Sequence, residues 1–352
     1  MRQLFHPSLV NDVFGDPLLY VDFEDERRAL LFDLGDISAL PPRKLLRVSH
    51  VFVSHAHMDH FAGFDQLLRV ILGRKDRIVL FGGPDFIAQV EHKLCAYTWN
   101  VVHRYEVELV IEVHEVGGDG LAQRACFSSR TGFARQPCAA VGLAGDVLHD
   151  EMMLRVRGRF VDHGTPCLAY ALEEKARVKV AKDRLAALGV STGAWLRELK
   201  LAVFAGVPAA TPIDVRWRDR LGEHAMTRSV GELRDVILDV APGQRIGYAT
   251  DLCFTEANMQ TLEAIMAGVD RLFIESVFLD ADRDHALRKN HLTARQAGEI
   301  ARRVGARAVA PFHFSPRYEG RAQALIDEVN AAWRGQSAPL AERHTGWRSR
   351  QR

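Results

Sequence analysis

The feature that most constrains the fold is a cluster of histidines at a predicted strand-to-helix junction. Residues 55–60 read HAHMDH, directly after an apolar run predicted as a strand at residues 48–54. An amphipathic helix is predicted over His60 to Arg74, where apolar residues recur at helical spacing. Three histidines and an aspartate buried without a cation would each need another polar partner. Imidazole and carboxylate are ligands of zinc and similar ions, so the pattern predicts a metal site on a loop at a strand end.

Strands alternate with helices in both halves of the chain, which predicts an α/β layered fold. In the first half, strands are predicted at residues 29–33, 48–54 and 78–81, followed by a turn at 82–84. In the second half, strands are predicted at residues 245–250, 271–278 and 306–312, with a helix at 293–304. Residues 117–145 are rich in glycine, alanine and small polar residues and predict only strand and loop.

Charge is balanced over the whole chain but not locally. With 46 Lys+Arg and 45 Asp+Glu the net charge is +1, which argues against a chain-wide grip on nucleic acid or an anionic membrane. Residues 173–200 carry seven basic and four acidic residues, a local excess of +3. This run is either a solvated helical face or a basic arm that contacts a polyanion.

Cysteine usage and the N-terminal residues predict a soluble, cytoplasmic protein. The five cysteines are widely spaced, odd in number and without a C-x-x-C pair, which favours reduced thiols over a disulfide framework. The first sixteen residues lack the apolar core of a signal peptide, and no uncharged apolar run approaches membrane-spanning length.

The H-x-H-x-D-H motif resembles that of the metallo-β-lactamase superfamily. The resemblance implies an αββα sandwich, in which two mixed sheets are flanked by helices. It also implies two metal ions, zinc or else manganese or iron, and further ligands downstream at the ends of apolar runs. The implied ligands are His55, His57 and His163 for one metal, Asp59, His60 and His313 for the other, and Asp251 as a bridge.

Two C-terminal motifs narrow the resemblance to the ribonuclease Z branch, zinc phosphodiesterases that cut the 3′ trailer from precursor tRNA. Asn290-His291-Leu292-Thr293 is similar to the H-x-T motif of that branch, and residues 313–318, HFSPRY, are similar to its H-F-S-x-R-Y motif. The resemblance implies that His291 donates a proton to the leaving oxygen or contacts phosphate, and that Glu275 orients it. His291 could instead cap the helix near Thr293, and Glu275 could instead face solvent or pair with an arginine.

In that superfamily a hydroxide that bridges the two metals attacks the substrate. Asp59 would take a second role as acceptor of the proton of the bridging water. Two divalent cations outweigh two carboxylates and a hydroxide, so a net positive charge remains for an anionic substrate such as a phosphodiester.

The resemblance covers about residues 45–320 and implies one domain at residues 1–335, an inserted basic arm-like segment at 173–212 and a basic tail at 336–352. It implies a homodimer that binds precursor tRNA and no membrane. The predicted substrate-binding residues are Lys175, Lys179, Lys182 and Arg317.

The chain departs from the family pattern at three places. Its N-terminal residues lack the Gly-Thr-rich strand and the Arg-Asn loop, Ile274 stands where the family has histidine, and Gly193-Ala194 replaces Gly-Pro. These departures keep alternatives open: a hydrolase of the same fold that acts on a small phosphodiester, a thioester or a lactone, or a binding module with structural metals.

Overall fold

Two mixed β-sheets lie face to face in the computed structural model, which describes residues 4–23, 26–175, 177–219 and 222–336. The first sheet has eight strands in chain order. It is antiparallel at both edges and parallel in the middle. Its strands are β1 (Phe5–Leu9), β2 (Leu19–Phe23), β3 (Ala29–Phe32), β4 (Val48–Phe52), β5 (Arg77–Gly82), β6 (Val110–Val116), β7 (Leu121–Ser128) and β8 (Arg135–Gly142).

The remaining strands form the second sheet and two smaller ribbons. They are β9 (Val147–Asp150), β10 (Leu154–Asp162), β11 (Pro166–Glu174), β12 (Arg177–Val180), β13 (Pro212–Asp219), β14 (Gly222–Ser229), β15 (Leu238–Ala241), β16 (Arg245–Ala249), β17 (Arg271–Glu275) and β18 (Val309–Phe312). The second sheet has the order β18-β17-β16-β11-β10-β9. Its β16, β17 and β18 are parallel, and the others pair antiparallel.

Helices lie outside the two sheets and between their strands in the chain. They are α1 (Pro42–Leu45), α2 (Met58–Phe61), α3 (Phe64–Ile71), α4 (Phe86–Cys95), α5 (Lys182–Ala187), α6 (Trp195–Phe204), α7 (Val230–Ile237), α8 (Glu256–Met266), α9 (Arg283–Arg288), α10 (Ala294–Arg303) and α11 (Ala322–Trp333). Among the helices of the described residues, none has the length together with the apolar composition of a membrane-spanning segment.

Three apolar cores hold the layers together. The central core joins the two sheets, where Phe52 of the first sheet contacts Tyr170 of the second and Phe32 lies beside Tyr248. Alternate residues of the strands point outward, where α3 and α4 cover the first sheet and α8, α10 and α11 cover the second. The four layers confirm the predicted αββα sandwich.

A fourth core belongs to residues 177–241. Strands β12 and β15 pair antiparallel, β13 and β14 form a hairpin, and α5, α6 and α7 pack with them around buried Trp195 and Leu199. The segment predicted as an arm, residues 173–212, therefore includes the end of β11, one short strand and two helices rather than one helical face. Of the predicted tail at 336–352, only Gln336 is among the described residues.

The helix predicted over residues 60–74 is wrong in its extent, because α2 and α3 are separate helices. The chain breaks at Gly63, whose amide donates to the Leu34 carbonyl at 2.8 Å. A Cβ at Gly63 would lie 2.2 Å from the carbonyl oxygen of Gly35. This contact with a distant loop stops the helix, and sequence periodicity does not report it.

The strand predicted at residues 271–278 is also too long, since β17 ends at Glu275. Farther along, the Phe278 amide donates to the Leu292 carbonyl, and the Ala294 amide donates to the Phe278 carbonyl at 2.6 Å. Phe278 thus pairs with the segment before α10 instead of extending β17, and that segment carries His291.

Candidate metal centre

All seven predicted metal ligands meet at one end of the sandwich. The loop after β4 and the short helix α2 carry the four residues of the H-x-H-x-D-H motif. The turn between β10 and β11 carries His163, the chain after β16 carries Asp251, and the chain after β18 carries His313. Because β4, β16 and β18 end at the same edge, side chains far apart in sequence converge there.

Asp251 lies at the centre of the cluster and is buried. Its Oδ1 lies 3.0 Å from His313 Nδ1. Its Oδ2 lies 3.3 Å from His163 Nε2, 3.5 Å from His60 Nε2 and 3.7 Å from His55 Nε2. One carboxylate therefore faces histidines of both predicted metal sites, as a bridging ligand would.

Among the described residues, four groups of donor atoms are compact enough to hold a cation, with all atoms in each group within 4.8 Å of one another. Two of them correspond to the predicted ligand sets, one joins Asp251 and His313 to Glu275 and His291, and one consists of His50, His149 and Glu151. Of the two that correspond, the first consists of His55, His57, His163 and Asp251, and the second consists of Asp59, His60 and His313. In the second group, Asp59 Oδ2 lies 3.3 Å from His313 Nε2 and 3.4 Å from His60 Nε2. The grouping agrees with the ligand sets implied by the sequence motif.

Three buried imidazole nitrogens of the cluster have no hydrogen-bonding partner among the described residues: His55 Nε2, His60 Nε2 and His313 Nδ1. Carboxylate oxygens approach them to 3.0–3.7 Å but accept no hydrogen bond. Buried polar atoms are rarely left unpaired. A cation that accepts these lone pairs would remove the cost, so the residues present fit a metal centre.

The opposite ring nitrogens are held by second partners. His60 Nδ1 donates to Asp33 Oδ2 at 2.9 Å, and Tyr248 donates its hydroxyl to the same oxygen at 2.7 Å. His163 Nδ1 donates to the Asn290 carbonyl at 2.8 Å. These bonds fix the tautomer that leaves Nε2 free toward the centre. Sequence reasoning missed all three partners, although Asp33 ends a predicted strand and Asn290 directly precedes the H-x-T motif.

Left-handed backbone conformations concentrate at the site. Among the described residues, six non-glycine residues have positive φ, and four of them belong to the site or its support: Asp33 (58°), Asp251 (49°), Asn290 (59°) and His313 (60°). Such conformations are uncommon for side-chain-bearing residues and cluster at functional sites. Here they turn the chain sharply at strand ends, which aims the side chain or carbonyl into the cluster.

The carboxylates of the cluster stabilise positive charge on the histidines next to them. Burial and the neighbouring His60 lower the pKa of His55 to about 3, so this ring is neutral and able to ligate. Burial alone would also lower the pKa of His313, but Asp251 outweighs it and raises that pKa to about 10. Asp251 and Asp33 likewise raise the pKa of buried His60 well above its usual value. Protons on these two rings supply charge that divalent cations would supply when bound.

His291 lies at the edge of the cluster, bonded to a carboxylate. Its Nδ1 donates to Glu275 Oε2 at 2.8 Å, and its ring centroid is 4.8 Å from that of His163. Glu275 is buried, and its other oxygen accepts from the Leu252 amide at 2.8 Å. Although burial opposes it, the Glu275 carboxylate raises the pKa of His291. The pair is thus a histidine oriented by a fixed carboxylate.

The alternative predictions, a helix-capping role for His291 and a solvent-facing or arginine-paired Glu275, are wrong. Thr293, not His291, caps α10, in a reciprocal pair of bonds with Gln296. Glu275 is buried, and no arginine of the described residues pairs with it. Ile274, where the family pattern has histidine, packs in the apolar core beneath α10.

The predicted substrate-binding residues occupy two different places. Arg317 follows His313 by four residues, and its guanidinium covers the ring of Phe278 and donates to His285. Lys175 follows β11, whose nine residues lead away from His163. At 3.3–3.4 Å per residue this strand spans about 30 Å. Lys175 forms an ion pair with Asp150, while Lys179 and Lys182 are exposed in the segment beyond.

Comparisons with known proteins agree with this geometry. The family model for the beta-lactamase superfamily domain matches residues 145–314. Ribonuclease Z of Deinococcus radiodurans is 32% identical over 304 residues, which cover 82% of this chain and 83% of that protein. Ribonuclease Z of Treponema pallidum is 25% identical and covers 83% of this chain and 79% of its own length. The crystal structure of the metallo-beta-lactamase fold protein YhfI from Bacillus subtilis superposes with a TM-score of 0.50 at 15% identity, covering 93% of both chains.

Proposed function

The chain belongs to the ribonuclease Z family, and on this premise we propose that it is a metal-dependent endoribonuclease that removes the 3′ trailer of precursor tRNA. The observation that carries the proposal is the convergence of both donor groups on Asp251 with the His291–Glu275 pair at their edge. A structural metal site is closed by its protein ligands and does not require an additional oriented histidine beside it. This arrangement also counts against a binding module.

Two zinc ions are the proposed cofactors, with His55, His57 and His163 holding one, Asp59, His60 and His313 holding the other, and Asp251 shared. When bound, such ions lower the pKa of water and neutralise charge on a phosphoryl group. Manganese or iron would fit the same nitrogen and oxygen donors.

The protons of the reaction are handled by two groups of the chain. Asp59 is partly exposed and faces the cavity beside the centre, so its free carboxylate oxygen can accept a proton from an attacking water. His291 uses Nδ1 for Glu275, which leaves Nε2 for the leaving oxygen. Its raised pKa keeps a proton available near neutral pH. Glu275 acts as the positioning residue, because it holds the ring and stabilises its charged form.

The tRNA body contacts the segment of residues 177–241, an arm inserted into a single metallo-β-lactamase domain. The exposed cations Lys179 and Lys182 support this role, since phosphate contacts by lysine are the usual source of nucleic-acid affinity. The length of β11 separates this arm from the metal centre by about 30 Å. Grip and cleavage would therefore engage different parts of one large substrate.

The proposed protein is a cytoplasmic homodimer. The wide spacing of its five cysteines along the chain, with no C-x-x-C pair, supports the reducing compartment. Leu121 of β7 and Val141 of the edge strand β8 are large apolar side chains exposed at adjacent register positions, and such exposure supports a contact between subunits. The oligomeric state is measured by sedimentation at several protein concentrations.

The test is cleavage of a precursor tRNA with mapped ends by the purified, zinc-loaded protein. Bis(p-nitrophenyl) phosphate, a thioester and a lactone are assayed beside it, because each represents an alternative hydrolase of the same fold. His55→Ala should abolish cleavage, whereas His92→Ala, an exposed histidine on α4, should not. Full activity after removal of metal, or faster turnover of the thioester or lactone, would contradict the proposal.

A further inference from the structure

A cavity of about 380 Å³ opens directly beside the metal centre. Its charged, histidine and aromatic lining residues are Phe14, Asp16, Asp59, Phe278, His285, Lys289, His291, His313 and Phe314. Its volume lies in the range of small-molecule pockets. The cavity therefore continues from the groups proposed to act on the scissile phosphate into a space large enough for one nucleotide.

The Phe14 side of the cavity is built by a tight N-terminal loop. The Val13 carbonyl accepts from the Phe314 amide at 2.7 Å, directly after the ligand His313. The Phe14 and Phe314 rings meet edge to face, with centroids 5.7 Å apart. The Asn11 side chain closes the loop by donating to the carbonyls of Asp16 and Asp36 at 2.8 and 2.9 Å. These bonds hold the partly exposed Phe14 ring in place without a ligand.

The Lys289 side of the cavity carries positive charge. Lys289 caps the C-terminal end of α9 and is exposed. No carboxylate in the described part of the chain forms an ion pair with its ammonium, unlike the neighbouring Arg283, which pairs with Asp280. The available cation and the fixed aromatic ring are the two elements that proteins combine to bind a single nucleotide, by stacking the base and neutralising a phosphate.

The position of His291 indicates which nucleotide of the substrate occupies the cavity. A proton donor must lie within hydrogen-bonding reach of the oxygen that it protonates. In trailer removal this oxygen is the 3′ oxygen of the nucleotide that stays with the tRNA. Since His291 lines the cavity, the nucleotide in the cavity is the one that carries the leaving oxygen.

We infer that this cavity is the subsite for the nucleotide on the 5′ side of the cleaved bond, where Phe14 stacks on its base and Lys289 pairs with its 5′ phosphate. The inference rests on the proposed endoribonuclease function, which supplies the leaving 3′ oxygen. It adds a base-binding role for Phe14 and its loop, in a part of the chain that lacks the family's Arg-Asn pattern.

The test measures binding rather than turnover, so that it is independent of the cleavage assay. Zinc-loaded protein is titrated calorimetrically with adenosine 5′-monophosphate, which has the base, the 5′ phosphate and a free 3′ hydroxyl, and with adenosine, which lacks the phosphate. Phe14→Ala should weaken binding of both about tenfold, the change that corresponds to about 1.4 kcal/mol of stacking. Lys289→Ala should weaken binding of the nucleotide by up to about fivefold, more so at low salt, and leave adenosine unaffected.

Two control variants match these changes away from the site. Tyr97→Ala removes an exposed ring in the cavity between α3 and the residues after α4, and Arg74→Ala removes an exposed cation before the amino-terminal end of β5, away from the strand ends that carry the ligands. Both should bind the two compounds like the unaltered protein.

Three results would overturn the inference. In the first, the unaltered protein shows no measurable binding, and in the second, Phe14→Ala binds both compounds as tightly as the unaltered protein. In the third, Lys289→Ala leaves nucleotide binding unchanged whereas removal of zinc abolishes it. The last would place the phosphate on the metals instead of on Lys289. Nucleotide binding with the expected pattern in a protein that fails to cleave precursor tRNA would contradict the proposed function and the assignment to the cleaved bond, but not the binding roles of Phe14 and Lys289.

Discussion

Substitution of Asp33 tests whether residues outside the predicted ligand set orient the ligands. Asp33 bonds to His60 through Nδ1, the ring nitrogen that faces away from the metal centre. It is fully buried and accepts four hydrogen bonds, from the Ser54 amide at 2.6 Å, the Ser54 hydroxyl at 3.0 Å, the Tyr248 hydroxyl at 2.7 Å and His60 Nδ1 at 2.9 Å. Asp33→Asn keeps the shape and tolerates the φ of 58°, since asparagine adopts left-handed backbone readily. The change therefore removes charge and one acceptor and little else.

The expected effect follows from those four bonds. An amide replaces a carboxylate oxygen by a donor, so at least one of the buried donors loses its acceptor, at a cost of about 1–3 kcal/mol. His60 is the ligand that loses its orienting carboxylate, and such outer partners typically change metal affinity by about 10–100-fold. We therefore expect zinc affinity to fall within that range.

Zinc affinity is measured by competition with a chelator, and unfolding is followed by heating the metal-free and zinc-loaded forms. Asp36→Asn is the matched control, since Asp36 is exposed three residues farther and, in the described part of the chain, its side chain bonds only to Ser38. If Asp33→Asn lowers thermal stability but binds zinc as tightly as the control, Asp33 supports the fold and does not orient His60.

Three further predictions follow from the site, the arm and the first sheet. His291→Ala should lower the rate of precursor tRNA cleavage by about 10²–10⁴-fold with unchanged zinc content, measured by single-turnover kinetics and metal analysis; lost zinc would make it a ligand instead. Replacing Lys179 and Lys182 by alanine should weaken tRNA binding and flatten its dependence on salt in filter-binding titrations, whereas an unchanged salt dependence would exclude the arm from the grip. Burial opposes it, but Arg77 and its neighbours hold the pKa of Glu112 at about 2, so this carboxylate contributes stability above its ordinary pKa of 4.5 that is lost as the pH falls toward 2. Glu112→Gln should therefore reduce the difference between urea midpoints at pH 6 and pH 3, and an unchanged difference would contradict that assignment.

The sequence indicated the candidate ligands more clearly than the residues that hydrogen-bond to them. His55, His57, Asp59 and His60 stand together in the chain, and their residue types alone indicate a cation. The later members of the predicted ligand set were proposed because each follows an apolar run and because the family pattern places ligands there. Asp33 and the Asn290 carbonyl have no such signal, since their role depends on a backbone turn and on a ring tautomer, which only the folded chain reveals.

Packing at a distance explains the other differences. The break between α2 and α3 arises where Gly63 approaches the backbone of Leu34 and Gly35, a contact that no local periodicity encodes. In residues 177–241 the abundant charges concealed a small core around Trp195 and Leu199. Its apolar residues come from two ribbons and three helices, so the pattern is recognisable only after the chain has folded.

The residues with left-handed backbone conformation at the metal centre lower the thermal stability of the protein while they position its metal ligands. Asp251 and His313 have conformations that glycine adopts without strain, and His313 Nδ1 is buried without a hydrogen-bonding partner among the described residues. Random mutagenesis followed by selection for heat resistance in the presence of a chelator should therefore enrich glycine or asparagine at these two positions. The selected variants would be more stable to heat and would bind zinc more weakly.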